Sequence, residues 1–182
     1  MTNFPDNEPT ISSRHIFSGR IIDVRVDTVR LQNGRESTRE IVDHAPSICV
    51  VPVDGDGNVL LVRQYRKPTD GFLLEVPAGG IEAGETPEEA TRRELQEEIG
   101  HTADRLEPLS AFWLAPGWCS EYMYAFLATG LRPANLDSDE DEFIEVVRVP
   151  LGEVADVIGR GEIQDAKSVA SLLLAARTLG SH

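Results

Sequence analysis

Three glutamates, Glu94, Glu97 and Glu98, stand at spacings that would let them act together on a metal ion. Residues three and four apart share one face of a helix, so these carboxylates are expected to converge there. Carboxylates held together repel one another unless water or a cation neutralises them, and all-oxygen ligands favour hard cations such as Mg²⁺ or Mn²⁺ over Zn²⁺. Because Glu-rich helical faces are commonly only solvated, the acids alone leave both interpretations open.

The residues around these acids predict a helix with defined ends. Thr86 suits the N-cap, Pro87 suits the first helical position, and Glu89 completes a capping box with Thr86. Gly100 is expected to end the helix. The apolar stripe beside the acids consists of Thr91, Leu95 and Ile99. One edge of the helix is therefore expected to pack against the protein, while the next edge carries negative charge.

The segment before the acids supplies glycine and further charge. Gly79, Gly80 and Gly84 would allow the backbone to approach a ligand closely. Glu85 stands just before the helix, and Arg93 directly precedes the acids. This context favours a ligand site over a solvated helical face.

Together these residues resemble the Nudix hydrolase signature. The order is Gly79, five residues, Glu85, seven residues, Arg93-Glu94-Leu95, one residue, Glu97-Glu98, one residue and Gly100. The one departure is His101, where the family has an aliphatic residue, and it concerns packing after the helix rather than a metal ligand. The resemblance implies an enzyme that hydrolyses a nucleoside diphosphate linked to another group.

The resemblance also implies how the metal is held. The expected ligands are Glu94, Glu97, Glu98 and the carbonyl of Ala78. About two to three Mg²⁺ or Mn²⁺ ions would neutralise the diphosphate and activate water, which places Glu98 among the catalytic residues as well. The expected supporting residues are Gly79, Glu85 and Arg93. Arg93 would orient the acids rather than touch the substrate.

Features outside the signature resemble the ADP-ribose pyrophosphatase branch of the family. They are Arg39-Glu40, Gln64-Tyr65-Arg66, Pro116 at 16 residues after Gly100, Glu121, and the closing segment 161–168. The resemblance extends over residues 16–177 and implies cleavage of ADP-ribose to AMP and ribose 5-phosphate. The substrate contacts that it implies are Arg39, Arg66, Glu121 and Pro116. It also implies a general base in the acidic loop 137–142, with Glu142 the first choice and Glu140 the second.

Each of these outlying residues also has a purely structural interpretation. Arg39 could pair with an acid across a hairpin, and Pro116 could only break a loop. Phe17, Trp113 and Trp118 are candidates to stack a nucleobase, although aromatic residues more commonly lie in the core.

Two rival functions stay open. One is hydrolysis of GDP-mannose or another nucleoside diphosphate sugar, because those hydrolases share much of this layout. The other belongs to a different class, a module that senses ADP-ribose without cleaving it. Degenerate acids would mark such a module, and none of the signature acids is missing here.

Composition limits the remaining classes of function. With 17 basic and 31 acidic residues in 182, the net charge of −14 argues against general binding of nucleic acid or anionic membranes. Two cysteines and four scattered histidines indicate neither a disulfide framework nor a zinc cluster. Residues 1–13 are polar and are expected to form a frayed tail without a signal peptide. The longest apolar runs are too short to span a membrane, so a soluble cytoplasmic protein is expected.

The pattern of apolar and turn residues predicts mostly strands. Residues 20–31 and 36–42 form a predicted hairpin around Asn33-Gly34, and residues 48–53 and 59–65 form another around the turn 54–58. Further predicted strands are 72–76, 106–114, 121–129 and 143–149, with Pro116-Gly117 breaking the chain between two of them. Predicted helices are 151–158 and 166–179, in addition to the acidic one.

This succession of elements predicts an α+β fold. The Nudix resemblance implies a mixed β-sheet sandwiched between helices (α/β/α), preceded by an N-terminal antiparallel β-sheet. The expected division is residues 1–44 for the tail and the antiparallel unit, and 45–182 for the hydrolase domain. A lone hairpin is marginal in water, so the N-terminal sheet needs a second surface. The resemblance implies a homodimer in which this sheet lends Arg39 to a composite site.

Overall fold

A computed structural model describes residues 8–134 and 144–180 of the chain. The chain divides into two compact units. The N-terminal unit comprises Met1–Ala45 and Trp113–Tyr122, and the main unit comprises Pro46–Phe112 and Met123–His182.

The N-terminal unit is built on a three-stranded antiparallel sheet in the order β1-β2-β3. The strands are β1 (Thr10–Ser18), β2 (Ile22–Arg30) and β3 (Glu36–His44). The predicted turn between β2 and β3 is confirmed, with Gly34 at φ 79° and its N–H donating to the Leu31 carbonyl at 2.9 Å. Only the left-handed backbone region closes this turn, which explains the glycine.

β1 corrects the expectation of a frayed tail over residues 1–13. From Thr10 onward the chain pairs with β2, with Thr10 opposite Val29 and Ser13 opposite Asp27. All nine residues of β1 are exposed. Backbone pairing rather than side-chain burial therefore makes this strand, and no apolar alternation marks it in the sequence.

The segment from Trp113 to Tyr122 is bonded to β3 within the same unit. The Val42 N–H donates to the Trp118 carbonyl at 2.8 Å, and the Ser120 N–H donates to the Val42 carbonyl at 3.0 Å. Trp113 and Tyr122 meet edge to face, with ring centroids 4.7 Å apart. These contacts fix the loop that contains Pro116 and Gly117.

The main unit contains two sheets. A four-stranded sheet has the order β7-β4-β9-β8, and a three-stranded antiparallel sheet has the order β10-β5-β6. The first consists of β4 (Ser47–Pro52), β7 (Ala78–Gly80), β8 (His101–Trp113) and β9 (Tyr122–Pro133). The second consists of β5 (Asn58–Arg66), β6 (Gly71–Glu75) and β10 (Glu145–Pro150).

The predicted hairpin of residues 48–53 and 59–65 is wrong in its pairing. The turn exists, but β4 pairs in parallel with β9 and antiparallel with β7, while β5 pairs with β6 and β10. A single bridge, Val53 to Val59, links the two segments at the turn. The six residues of β4 are all buried, which is typical of a central strand rather than of one half of a hairpin.

The helices are α1 (Pro87–Ile99), α2 (Val154–Gly159) and α3 (Ala166–Gly180). α2 is shorter than the predicted 151–158, because Leu151–Glu153 forms a separate 3₁₀ turn. β8 starts at His101 rather than at residue 106, and β10 starts at Glu145 rather than at residue 143. None of the helices within residues 8–134 and 144–180 is long and apolar enough to cross a membrane.

Alternate residues of β4 face different helices, which matches the expected α/β/α layering. Ile48 and Val50 pack in one cluster with Leu95 of α1. Cys49 points the other way, and its thiol interacts with Ser171 of α3. Burial raises the pKa of the Cys49 thiol to about 12, so this cysteine is a packing residue.

Candidate active site

The acidic helix begins and ends as its sequence predicts. The Thr86 hydroxyl accepts a hydrogen bond from the Glu89 N–H at 3.2 Å, and the Glu89 carboxylate accepts one from the Thr86 N–H at 2.8 Å. Gly100 ends α1 in the left-handed conformation at φ 67°. The capping box and this glycine fix the register of the helix against the preceding loop.

The apolar stripe of α1 is buried as predicted. Thr91 and Leu95 are fully buried, and Ile99 is 6% exposed. Packing of this stripe turns the acidic edge toward the glycine loop. Glu94 and Glu98 are only 8% and 7% exposed, so the solvated-face interpretation is wrong for these two acids.

Arg93 gathers the acids of this edge. Its Nε and Nη2 donate to the two carboxylate oxygens of Glu85 at 2.9 and 3.1 Å. Its Nη1 donates to Glu94 at 2.7 Å and to Glu97 at 2.9 Å, and Nη2 also reaches the Gly80 carbonyl at 2.8 Å. One guanidinium therefore holds three carboxylates and the loop backbone in fixed positions.

Glu98 is held by the backbone of the loop. Its Oε2 accepts a hydrogen bond from the Ala78 N–H at 3.0 Å. Gly79 lies against Glu94, because a Cβ at position 79 would overlap the Glu94 carboxylate. The absence of a side chain at position 79 thus makes room for an acid. Gly84 has φ 93°, a conformation that other residues rarely adopt.

The charges of this cluster do not balance. The pKa of Arg93 lies far above its ordinary value, chiefly because of its hydrogen bonds to Glu85, with Glu94 and Glu97 adding to the shift. The hydrogen bond from Arg93 holds the pKa of Glu85 below its usual range despite some burial. Arg93 shares one positive charge among three carboxylates, Glu85, Glu94 and Glu97. The excess negative charge favours binding of a cation.

The donor set fits a hard divalent cation. Three carboxylates on one helical edge, two of them nearly buried, supply oxygen ligands of the kind that Mg²⁺ and Mn²⁺ prefer. The predicted convergence of the three carboxylates on one point is not seen, because within residues 8–134 and 144–180 no group of three acidic, imidazole or thiol side chains is arranged to hold a metal ion. Instead, Glu94 and Glu97 share Arg93, while Glu98 turns to the Ala78 amide.

Arg66, a predicted phosphate contact, is anchored by a buried acid of the main unit. Its Nε and Nη2 donate to the two carboxylate oxygens of Glu75 at 3.0 and 2.8 Å. Glu75 is 2% exposed and also accepts from Lys167. The pair is bidentate, so the orientation of the guanidinium is fixed.

Arg39, Pro116 and two tryptophans meet in the N-terminal unit. They line one cavity of about 420 Å³, with Trp113 and Trp118 among its walls. Arg39 donates from Nε and Nη2 to the two carboxylate oxygens of Glu8 at 2.8 and 2.6 Å. Arg39 therefore pairs with an acid, but this acid precedes β1 rather than lying across the hairpin from Arg39.

The remaining predicted residues fall in different places. Glu121 is half-buried, and its carbonyl accepts from the Leu114 N–H at 3.2 Å. Phe17, Trp113 and Trp118 are each more than half exposed, so their interpretation as core residues is wrong. Trp113 and Trp118 line the cavity instead, and the Phe17 ring lies next to Gly19. The acid loop with Glu140 and Glu142 lies outside the described residues.

Three residues of these networks were not singled out by the sequence. Glu8 and Glu75 are the acids that orient Arg39 and Arg66, and Lys167 completes the second pair. Position 167 lay in the closing segment 161–168, but that resemblance assigns it no contact. Only Glu75 carried a usable signal, an acid at the end of an otherwise apolar strand.

Comparisons with known proteins place this chain in a family. The NUDIX domain family matches residues 43–172, and the nucleoside diphosphate sugar hydrolase N-terminal domain family matches residues 8–42. A Bacillus subtilis (strain 168) protein named ADP-ribose pyrophosphatase is 41% identical over 91% of this chain and 90% of its own length. A Yersinia enterocolitica protein named GDP-mannose pyrophosphatase is 34% identical over 75% of this chain and 76% of its own.

A solved structure extends the likeness to three dimensions. The crystal structure of an ADP compounds hydrolase matches with a TM-score of 0.89 at 27% identity, covering 97% of this chain and 96% of the other. The signature residues, their geometry and these matches lead to one assignment. The chain belongs to the Nudix hydrolase family.

Proposed function

We propose that this enzyme hydrolyses the diphosphate bond of ADP-ribose to AMP and ribose 5-phosphate, with Mg²⁺ or Mn²⁺ as cofactor. The observation that carries the reaction type is the cluster in which Arg93 fixes Glu85, Glu94 and Glu97 beside the buried Glu98. The choice of substrate is supported by the relative named ADP-ribose pyrophosphatase, which matches over nearly the whole chain.

The acidic edge of α1 is the proposed metal site. The proposed ligands are Glu94, Glu97, Glu98 and the carbonyl of Ala78, with Gly79, Glu85 and Arg93 in support. About two to three bound divalent cations would neutralise the diphosphate and polarise phosphorus. Arg93 keeps the carboxylates in place through the reaction, because its five donors are already distributed among them and the loop.

Other side chains would bind the substrate and accept the proton. The bidentate anchors of Arg39 and Arg66 present their guanidinium groups in fixed orientations, which suits phosphate oxygens. Glu121 and Pro116 complete the proposed substrate contacts. The proposed acceptor of the proton from the attacking water is the carboxylate of Glu142, with Glu140 as the second choice. The water oxygen forms the new bond to phosphorus as the bridging phosphate bond breaks.

The cavity of the N-terminal unit is the proposed place for the nucleobase. It combines a volume of about 420 Å³ with the exposed rings of Trp113 and Trp118. Aromatic faces bind a nucleobase by stacking, and a polar rim fixes its orientation. Replacing Trp118 with Ala is expected to raise KM for ADP-ribose more than for diphosphates that lack a nucleobase.

Residues 1–44 are also the proposed dimerisation element, and residues 45–182 are the proposed hydrolase domain. β1 is exposed along its whole length, and an apolar groove of about 570 Å³ is lined by Ile16, Val24, Val26 and Trp118. A second copy would bury this surface and bring its Arg39 to a composite site. Sedimentation at micromolar concentration that finds only monomer would contradict this. A cytoplasmic location is a separate proposal.

Hydrolysis of GDP-mannose is the second candidate, favoured by the relative that bears that name. A module that senses ADP-ribose without cleaving it is disfavoured, because every acid of the signature is present and positioned by a hydrogen bond.

One assay separates these functions. The pure protein is incubated with Mg²⁺ or Mn²⁺ and a panel of ADP-ribose, GDP-mannose, NADH, diadenosine polyphosphates and oxidised nucleoside triphosphates. The products are identified by chromatography. Preferred cleavage of ADP-ribose to AMP is expected. Preferred cleavage of GDP-mannose would replace the substrate assignment, and binding without turnover would replace the enzymatic one.

A further inference from the structure

Four charged side chains form a continuous chain across the main unit. Arg66 donates to Glu75, Lys167 donates to Glu75 at 2.5 Å, and Lys167 also donates to Asp165 at 2.8 Å. Two cations thus alternate with two anions. The set is neutral as a whole, and each acid has a cationic partner.

The members of this chain of charges differ in their exposure to solvent. The Arg66 side chain is 38% exposed, whereas Glu75 is 2% exposed and Lys167 is 11% exposed. Burial alone would lower the pKa of Lys167, but the charges of Asp165 and Glu75 outweigh burial and raise it. Lys167 therefore stays charged inside the protein, and Arg66 is the most exposed member of the chain, with Asp165 at the other end only 15% exposed.

Lys167 and Arg66 meet on the same atom. Both donate to Oε2 of Glu75, while Arg66 alone reaches Oε1. The ammonium thereby fixes the plane of the carboxylate, and the planar guanidinium must follow that plane to keep two parallel hydrogen bonds. Lys167 has a second anchor in Asp165, so its own position is determined independently of Arg66.

The backbone at this point has a separate support. The Val76 N–H, directly after Glu75, donates to the Ser168 hydroxyl at 2.9 Å. Asp165 accepts from the Ser168 N–H at 3.1 Å at the start of α3. The ammonium of Lys167 therefore acts on the Glu75 carboxylate, whereas Ser168 holds the strand. The two effects are separable by mutation.

We propose that Lys167 is a positioning residue that orients Arg66 for the diphosphate through the Glu75 carboxylate. Its effect on the substrate rests on the proposed function, since it assumes that Arg66 meets phosphate. The effect of Lys167 on the orientation of Arg66 does not depend on the proposed function. Lys167 itself has no contact with the reacting atoms in this scheme, so its removal alters binding more than the chemical step.

The first test is steady-state kinetics of Lys167→Met with ADP-ribose and Mg²⁺. A rise in KM of about tenfold is expected, because a poorly aligned charged hydrogen bond between Arg66 and the substrate weakens binding by about that factor. The value of kcat is expected to change by less than about twofold. Lys67→Met is the matched control, since Lys67 is an exposed lysine next to Arg66 that pairs only with Asp70 in the described residues. Its KM is expected to change by less than about twofold.

A double-mutant cycle tests the route through Glu75. Glu75→Gln alone is expected to raise KM, and Lys167→Met added to it is expected to raise KM no further. Asp165→Asn is a milder variant that retains a capping residue at α3 while it loosens Lys167. It covers the case in which Lys167→Met does not fold, and a smaller rise in KM is expected. Effects of Lys167 and Glu75 that simply multiply would overturn the proposal.

A measurement without substrate separates this proposal from the proposed function. The ¹H–¹⁵N heteronuclear NOE of Arg66 Nε, assigned with Arg66→Lys, reports the order of the guanidinium. It is expected to fall in Lys167→Met and in Asp165→Asn, but not in Lys67→Met. An unchanged NOE in both folded variants would overturn the positioning role. If the wild-type protein leaves ADP-ribose intact while Lys167→Met and Asp165→Asn still show the NOE loss, only the proposed substrate is refuted.

Discussion

Gly79 and Glu94 lie so close together that the glycine has no room for a side chain. A Cβ at position 79 would overlap the carboxylate of Glu94, whereas a Cβ on the adjacent Gly80 would meet no atom within 4 Å. The two glycines of the loop thus differ in role. The first admits an acid of the proposed metal site, and the second leaves its carbonyl to Arg93.

Gly79→Ala is expected to displace Glu94 and weaken metal binding. The colliding atom ends a flexible side chain, so the fold is expected to survive with a loss of about 1–3 kcal/mol. Gly80→Ala is the matched control, with metal affinity and stability near those of wild type. Mn²⁺ titration by calorimetry and thermal unfolding check both. Equal affinities in the two variants would contradict the role of Gly79.

Glu98→Gln is expected to lower kcat by at least about 100-fold, because it removes an anionic ligand from the proposed site. The amide oxygen can still accept the Ala78 N–H, so the circular dichroism spectrum is expected to stay native. Glu88→Gln, in the exposed first turn of α1, is the control. Turnover of Glu98→Gln near that of Glu88→Gln would refute the assignment of Glu98.

Arg93→Met releases three carboxylates at once. A loss of about 10–100-fold in Mn²⁺ affinity is expected, since residues that orient metal ligands have effects of this size. Arg92→Met is the control on the same helix, because Arg92 binds the Ala103 carbonyl instead of the acids. Calorimetric titration of both variants decides the matter. Tighter Mn²⁺ binding in Arg93→Met would mean that the arginine competes with the metal.

Arg39→Met is expected to raise KM for ADP-ribose by about tenfold with little change in kcat. The reason is loss of a guanidinium that Glu8 holds at the cavity. Arg35→Met removes a neighbouring arginine from the β2–β3 turn and is the control. Initial rates over a range of ADP-ribose concentrations distinguish the two. A matching KM for both variants would reduce Arg39 to a structural partner of Glu8.

The pH dependence of stability is expected to reflect Glu75. Burial raises the pKa of this carboxyl, but hydrogen bonds from Arg66 and the charge of Lys167 outweigh burial and hold it below its usual range. A depressed folded pKa contributes stability above the unfolded value of about 4.3, and this is lost as the pH falls through the folded pKa.

Glu75→Gln is therefore expected to be less stable than wild type at neutral pH and to lose less stability on acidification. Urea unfolding between about pH 7 and pH 3 measures both slopes. Glu107→Gln, whose carboxylate lies in an exposed pair with Arg105, is the control. Parallel curves for wild type and Glu75→Gln would contradict the assignment.

The sequence predicted the parts of the site that depend on local chemistry. The ends of α1, its buried stripe and the turn at Gly34 all follow from side chains within a few residues of one another. The signature spacing carried the acids and Arg93 for the same reason. Structure that depends on residues close together in the chain can therefore be predicted from the sequence.

Long-range pairing was not predictable from one chain. β4 and β5 are adjacent in sequence, yet they lie in different sheets. Both are mostly buried, and an apolar strand gives no sign of which other strand it pairs with. β1 was missed since its residues are all exposed. Glu8 lies far along the chain from Arg39, as Lys167 does from Glu75, and only the folded structure brings each pair together.

The parallel pairing of β4 with β9, where Ser47 stands opposite Met123, sets an order on biosynthesis. β4 leaves the ribosome well before its partner has been translated, whereas β2 and β3 can join at once. Until β9 has been translated, β4 can pair with β7 but lacks its parallel partner, although all six residues of β4 are buried in the complete fold. A chain truncated between residues 53 and 122 lacks β9 and is therefore expected to expose part of β4 and to aggregate more readily than the full chain.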